Sequence, residues 1–196
     1  MRLVLGLGNP GERYATTRHN VAWRVLDELA KRWRLKRGVS VPGLFESWRG
    51  EVGGEAVEVM RPQTYMNLSG QALEHWMRDQ ELSPEAMLVV SDDVYLPVGG
   101  LRLRAHGSSG GHRGLESLEA ALGHRDFARL RVGVGAAESS ADLKEHVLQT
   151  FGPEEEPVVE RVVQEAADAV ECWAREGIER AMNRFNRRMS KEVPEP

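Results

Sequence analysis

Apolar residues recur along the chain in two rhythms. Leu3–Leu7 is a short, nearly unbroken apolar run closed by Gly8-Asn9-Pro10-Gly11, which predicts a buried strand ending in a turn. From Val21 the rhythm lengthens. Val21, Ala22, Val25, Leu26, Leu29, Ala30 and Trp33 share one face of a helix, with Asn20 placed to cap it. Residues 12–18, between the two, carry no helical period. Segments 44–52 and 55–61 are expected strands joined by a Gly53-Gly54 turn, a short helix is expected after Asn67, and Met87–Ser91 is expected as another buried strand.

Two later segments alternate strictly. Leu101-Arg102-Leu103-Arg104 and Arg129-Leu130-Arg131-Val132-Gly133-Val134 each put apolar residues on one face and arginines on the other. Between them Leu115, Leu118 and Leu122 mark a helix that follows the glycine-rich stretch 107–111 and stops at Gly123. A helix is expected after Ser140, and residues 153–186 read as helical, with a break near Gly177. Residues 1–188 then form a single α/β domain, and residues 189–196 are expected to be a disordered tail. Strands interspersed with helices predict a central twisted sheet, mixed but mostly parallel, with helices on both faces.

Composition adds little to this except at two points. A chain of 196 residues, 41% apolar and 29% charged, supports one ordinary globular core. No apolar run approaches the ~20 residues needed to cross a bilayer, no signal peptide is visible, and the single cysteine, Cys172, forms no intrachain disulfide, so a cytoplasmic protein is expected. The charge is uneven. Only four of the 26 basic residues are lysines, and residues 102–131 hold six arginines against three acidic residues in a chain of net charge −4. A local arginine surplus suits a phosphate-bearing partner; a GC-rich genome or a hot environment produces the same bias.

The stretch Gly6-Leu7-Gly8-Asn9-Pro10-Gly11 matches the glycine pattern of dinucleotide-binding loops. That reading makes three demands which the chain does not meet. The helical period starts about ten residues late, Pro10 has no amide to offer a phosphate, and the acidic residues some 20 positions on, Asp27 and Glu28, lie inside a helix. A nucleotide-dependent oxidoreductase is therefore disfavoured. What remains is an asparagine at the carboxyl end of the first strand, where open α/β sheets bind ligands. Asparagine is scarce, with Asn9, Asn20, Asn67, Asn183 and Asn186 in all. A primary amide carries two donors and an acceptor on one plane, which suits gripping a peptide or ester group.

Longer blocks carry more information than that pattern. Leu5–Gly11 with Tyr14 and Thr17-Arg18-His19-Asn20 resembles the opening of bacterial peptidyl-tRNA hydrolases. The resemblance continues in order through Pro62-Gln63-Thr64-Tyr65-Met66-Asn67-Leu68-Ser69-Gly70, Ser91-Asp92-Asp93, Leu96-Pro97-Val98-Gly99, Gly110-Gly111-His112-Arg113-Gly114-Leu115 and Phe127–Gly135. It implies hydrolysis of the ester between a peptide and the terminal ribose of tRNA. Such chemistry needs a base near neutral pH, which histidine supplies.

By the resemblance His19 is the catalytic histidine and Asp92 the carboxylate that orients it, Asn9 and Asn67 hold substrate near the ester, Met66 lines the peptide side, and Tyr14 stands at the mouth. Each residue alone also has a plain structural use: a turn, a strand-end cap or core packing. Arg104 and Arg131 match a basic pair that clamps the 5′-phosphate of tRNA, and the 107–111 stretch either binds a further phosphate or forms a mobile loop over the cleft. The implied partner is peptidyl-tRNA through its acceptor stem and 3′ end, with no cofactor, no membrane and a monomeric state.

Two positions depart from the family. Arg113 stands where asparagine is usual, and Ser91 where many relatives have histidine. A guanidinium donates but does not accept, so Arg113 is expected to contact a phosphate or carbonyl oxygen and not to orient water. The altered position keeps open a second hypothesis, a non-catalytic RNA-binding module on the same fold. The chain has no His-Glu-x-x-His motif and no cysteine cluster to bind a metal, and the sequence leaves open whether His19, Asp92 and His112 form a trio of ligands.

Overall fold

Hydrophobic alternation sets the layers. The computed structural model describes residues 1–136 and 142–186, and the expected tail 189–196 lies outside them. Along β1 (Arg2–Gly6), Val4 packs into one apolar cluster while Leu3 and Leu5 pack into another on the opposite side, so the continuous apolar run reflects a strand covered on both faces. The sheet has seven strands in the order β2 (Lys36–Val41), β3 (Phe45–Val52), β4 (Glu55–Pro62), β1, β5 (Met87–Asp93), β7 (Ala128–Gly133) and β6 (Leu101–Arg104). The four central strands β4, β1, β5 and β7 are parallel, and the three outer pairings are antiparallel.

The first cluster lies under α1 (Val21–Arg32), α5 (Glu156–Glu176) and α6 (Ile178–Phe185). The second lies under α2 (Ser69–Trp76) and α3 (Arg113–Leu122). A further helix, α4 (Leu143–Leu148), follows residues 137–141. The mixed sheet, parallel at its centre with helices on both faces, is the expected architecture.

Differences from the sequence reading have local causes. The helical segment expected from Pro153 begins at Glu156, and α5 and α6 divide at Gly177, whose φ of 86° a side chain would strain. The strand expected to end at Ser91 runs two residues further and carries Asp92 and Asp93. Strand β2 carries no strand pattern in its sequence. It is an edge strand of mostly exposed residues with an irregular register, and so lacks the alternation that marks a half-buried strand. At the other edge, the Asn186 side chain donates to and accepts from the backbone of Leu103 at 3.0 and 2.9 Å, imitating a strand partner.

The arginine alternation needs one correction. On β6, Arg102 and Arg104 are exposed as expected, but on β7 Arg129 is fully buried and Arg131 largely so. In register, Arg102 faces Arg131 and Arg104 faces Arg129, so all four share one side of the sheet. The loop after β6 closes over the inner pair. Arg129 donates to the carbonyls of Ser108 and Arg125 and to Glu119, and its guanidinium lies 4.3 Å from the Phe127 ring centre.

Helices α2 and α3 meet through Gly70. Its amide donates to Ser117 Oγ at 2.9 Å, and a Cβ there would stand 2.3 Å from the Ser117 carbonyl oxygen. Backbone cannot yield as a side chain does, so Gly70→Ala should destabilise by about 1–3 kcal/mol, the usual cost of overpacking. Urea unfolding should show the midpoint falling at constant slope, and an unchanged midpoint would refute the close crossing.

Candidate active site

Two glycines of Gly6-Leu7-Gly8-Asn9-Pro10-Gly11 serve packing, while Gly11, at φ 103°, makes the turn. A Cβ at Gly6 would lie 2.6 Å from Leu26 Cδ1, and one at Gly8 would lie 2.5 Å from Trp23 Nε1. The absent side chains let α1 press against the end of β1, where Trp23 Nε1 donates to the Gly6 carbonyl at 3.1 Å. The loop after β1 is then sewn down by Asn20. Its Oδ1 accepts from the Asn9 amide and its Nδ2 donates to the Asn9 carbonyl, both at 2.9 Å. Asn20 occupies the N-cap position of α1 as predicted, but its side chain makes no cap bond, because both its polar atoms are spent on Asn9.

His19 sits in a single helical turn, residues 18–20, between two anchored neighbours. Asn20 is one. The other is Arg18, buried, which donates to both carboxylate oxygens of Glu155 at 2.9 and 2.7 Å and to the Val134 carbonyl at 2.9 Å. The imidazole is thus delivered from a fixed backbone to the carboxyl end of β5. There His19 Nδ1 lies 2.8 Å from Asp92 Oδ1.

A second imidazole reaches the same oxygen, with His112 Nε2 at 2.9 Å from Asp92 Oδ1. The protons follow from the partners. His112 Nδ1 accepts the backbone amides of Gly114 and Leu115 at 3.2 and 3.3 Å, capping α3. An accepting nitrogen carries no proton, so the neutral ring donates through Nε2. A carboxylate only accepts, so His19 donates through Nδ1. Its Nε2 is left with a lone pair and no partner among the described residues.

His19, Asp92 and His112 form a cluster of potential metal ligands. The three ligand atoms lie within 4.8 Å of one another, but a protonated Nε2 does not ligate. Recruiting it would move the proton to Nδ1 and uncap α3.

Electrostatics reinforce this arrangement. Burial disfavours the charged form of His19, yet the charge of Asp92 and its hydrogen bond outweigh burial and hold the imidazole above its ordinary 6.5. Burial alone would raise the Asp92 carboxyl. The charge of the adjacent imidazoles and their hydrogen bonds outweigh it and hold the group well below the usual carboxylate range.

Around this centre opens a cleft of about 520 Å³, lined by Asn9, Tyr14, His19, Met66, Asn67, Asp92, Arg113 and Arg131 among others. Nearly every sequence-predicted site residue therefore meets there; Arg104 stands outside, on the exposed edge of β6. Asn9 has its Oδ1 committed to the Met66 amide at 2.8 Å, which leaves only its NH₂ for a ligand. Met66 serves two purposes, lining the cleft and packing in the second core cluster. Asn67 is exposed, and Arg113, also exposed, is the first residue of α3. Arg131 is not free. It donates to Asp93 Oδ2 at 3.2 Å and to the carbonyls of Ser108 and Ser109 at 2.7 and 3.2 Å. In this structure the 107–111 stretch is thus a loop latched by arginine.

Six contributors are not marked by the sequence reading: His112 as the second donor to Asp92, Tyr65 and Tyr95 at the rim, and the α4 side chains Leu143, Val147 and Leu148. His112 lay within a recognised block; α4 had only helical spacing to mark it.

With this geometry in place, the likeness to known proteins is specific. A family model described as peptidyl-tRNA hydrolase matches residues 3–193. The chain belongs to the peptidyl-tRNA hydrolase family. Members include the peptidyl-tRNA hydrolase of Desulfitobacterium hafniense, 44% identical over 95% of this chain and 100% of that protein, and that of Roseiflexus castenholzii, 48% identical over 95% and 87%. The crystal structure of peptidyl-tRNA hydrolase from Acinetobacter baumannii superimposes with a TM-score of 0.89 at 32% identity, covering 95% of this chain and 94% of that one. A purine nucleoside phosphorylase from Toxoplasma gondii, at a TM-score of 0.51 and 9% identity, shares the fold alone.

The hydrogen-bonded imidazole gives a titration its sign. Because the folded pKa of His19 is raised, its pairing with Asp92 contributes stability in full below about pH 6.5, and this is lost as pH rises through the folded value. The His19 imidazole resonances should titrate above 6.5 in the native protein. In Asp92→Asn only burial remains, so the midpoint should fall below that of the native protein; an unmoved midpoint would refute the pairing.

Proposed function

We propose that this chain hydrolyses the ester joining the peptide to the terminal ribose of peptidyl-tRNA, returning tRNA from prematurely released peptidyl-tRNA to use. The observation that carries the reading is the unpartnered Nε2 lone pair of His19, backed through Nδ1 by a buried carboxylate at the wall of an open cleft. Membership of the peptidyl-tRNA hydrolase family supplies the substrate. Among the described residues no helix is long and apolar enough to cross a membrane. The reading makes the protein a monomer of the cytoplasm that needs no cofactor.

In the proposed reaction His19 Nε2 takes a proton from water as the water oxygen attacks the ester carbonyl carbon. Asp92 holds the ring tautomer and stabilises the imidazolium. The carbonyl oxygen gains negative charge, which the NH₂ groups of Asn9 and Asn67 meet as donors. The bond to the ribose oxygen then breaks, and that oxygen receives the proton from His19 Nε2. Met66 and Tyr14 flank the peptide. Arg104, exposed and without an ion-pair partner among the described residues, takes the 5′-phosphate. Arg131 joins it by exchanging its contacts to the Ser108 and Ser109 carbonyls for phosphate oxygens.

Release of N-acetyl-amino acid from N-acetyl-aminoacyl-tRNA tests the reading directly. His19→Ala should lower kcat by about 10²–10⁴-fold, the range for a lost general base, while tRNA affinity stays nearly intact. A matching loss of binding would remove His19 from that role. Wild-type binding without turnover would favour the RNA-binding module instead. Arg113→Asn should leave kcat near wild type, raise KM, and reduce the salt slope of tRNA binding by about one, the signature of a lost phosphate contact. A many-fold rise in kcat would show that an amide is needed there.

A further inference from the structure

All three tyrosines of the chain line the one catalytic cleft. Two of them serve each other. Tyr14 and Tyr65 pack edge to face, with ring centres 6.5 Å apart and planes at 87°, beside Met66 and Asn67. Tyr95 differs. It is 70% exposed, the most exposed large apolar or aromatic residue described, and its ring and hydroxyl have no partner among the described residues. An aromatic ring held in water at the rim of a site has an unused apolar face.

The mounting of Tyr95 is rigid. It stands in the turn after β5 between two buried residues, Asp93 and Leu96. Its amide donates to Asp93 Oδ1 at 2.8 Å, and the other oxygen of that carboxylate accepts from Arg131 at 3.2 Å. Asp93 also accepts the Val134 amide through its backbone carbonyl at 3.1 Å, and Leu96 that of Gly135 at 3.0 Å. One carboxylate therefore holds both the backbone that carries an exposed tyrosine and the guanidinium of Arg131, and both residues line the cleft. Aromatic rings and cations lining one cleft are the groups that bind unpaired nucleotides, since every base has a stacking face and every linkage a phosphate.

We propose that Tyr95 is a substrate-binding residue whose ring stacks on the terminal base of the single-stranded 3′ end of tRNA. The proposal rests on the esterase reading, which puts the ester on the ribose of that same nucleotide, and Tyr95 lines the same cleft as His19. Stacking holds the base in the free and activated substrate alike. It acts on binding and not on the chemical step.

The test compares Tyr95→Ala and Tyr95→Phe on two substrates, N-acetyl-aminoacyl-tRNA and the same tRNA whose terminal nucleotide keeps its ribose ester but lacks its base. On the intact substrate Tyr95→Ala should raise KM on the order of tenfold, within the range found for aromatic–base stacking, with kcat little changed; Tyr95→Phe should restore KM. On the abasic substrate, wild type and Tyr95→Ala should coincide. An alanine penalty that persists on the abasic substrate and grows with an aromatic acyl side chain would assign the ring to the peptide and overturn the proposal, as would an unchanged KM. Failure of the wild type to turn over would sink the esterase reading alone. In that event, fluorescence anisotropy with a labelled CCA trinucleotide decides for Tyr95: weaker binding by Tyr95→Ala supports the platform, and equal binding overturns it.

Discussion

A single carboxylate oxygen, Asp92 Oδ1, accepts hydrogen bonds from His19 and His112 at 2.8 and 2.9 Å. Burying an ionised carboxylate costs several kcal/mol unless its lone pairs are filled. Here two imidazoles fill those of Oδ1, and they arrive from opposite sides of the sheet. His19 comes from the turn before α1, on the face of the first core cluster. His112 comes from the N-terminus of α3, on the face of the second. The centre therefore exists only where loops from both faces converge, at the carboxyl ends of the central parallel strands.

The two histidines divide the work through their tautomers. His112 is committed at both nitrogens, to Asp92 and to the amides of α3, so it acts as a fixed donor. His19 is committed at one, which leaves the other for a reactant. Asn9 repeats the pattern: its oxygen is bound by the Met66 amide and only its NH₂ remains. His19 and Asn9 are thus each left with a single free group by a hydrogen bond behind them, from the Asp92 carboxylate in one case and the Met66 amide in the other. This is preorganisation achieved with ordinary hydrogen bonds.

The arginines show how far a pattern in sequence reaches. Alternation correctly puts Arg102, Arg104, Arg129 and Arg131 on one side of the sheet. Nothing in the alternation reveals that a loop folds over two of them. Arg129 and Arg131 hold the Ser108 carbonyl together, so the glycine-rich stretch that leads to His112 is fastened by residues for which the sequence shows only a shared polar face. Asn20 shows the same limit. Its position fits a helix cap, while its reciprocal pairing with Asn9, 11 residues away, decides what the amide does.

Periodicity is a local property, and so the sequence alone determined most of the strands, the main helices and their layering into a two-faced sheet, while the irregular edge strand β2 stayed hidden. Ordered blocks of residues likewise determined the family and named His19, Asp92, Asn9 and Asn67. Only the tertiary structure decided which atoms of those residues are free. Asp92 lies 73 positions from His19 and 20 from His112 in the chain, and proton placement depends on contacts across those separations. A lone pair is made available by what its neighbours already hold, and that is a matter of distance and direction in space.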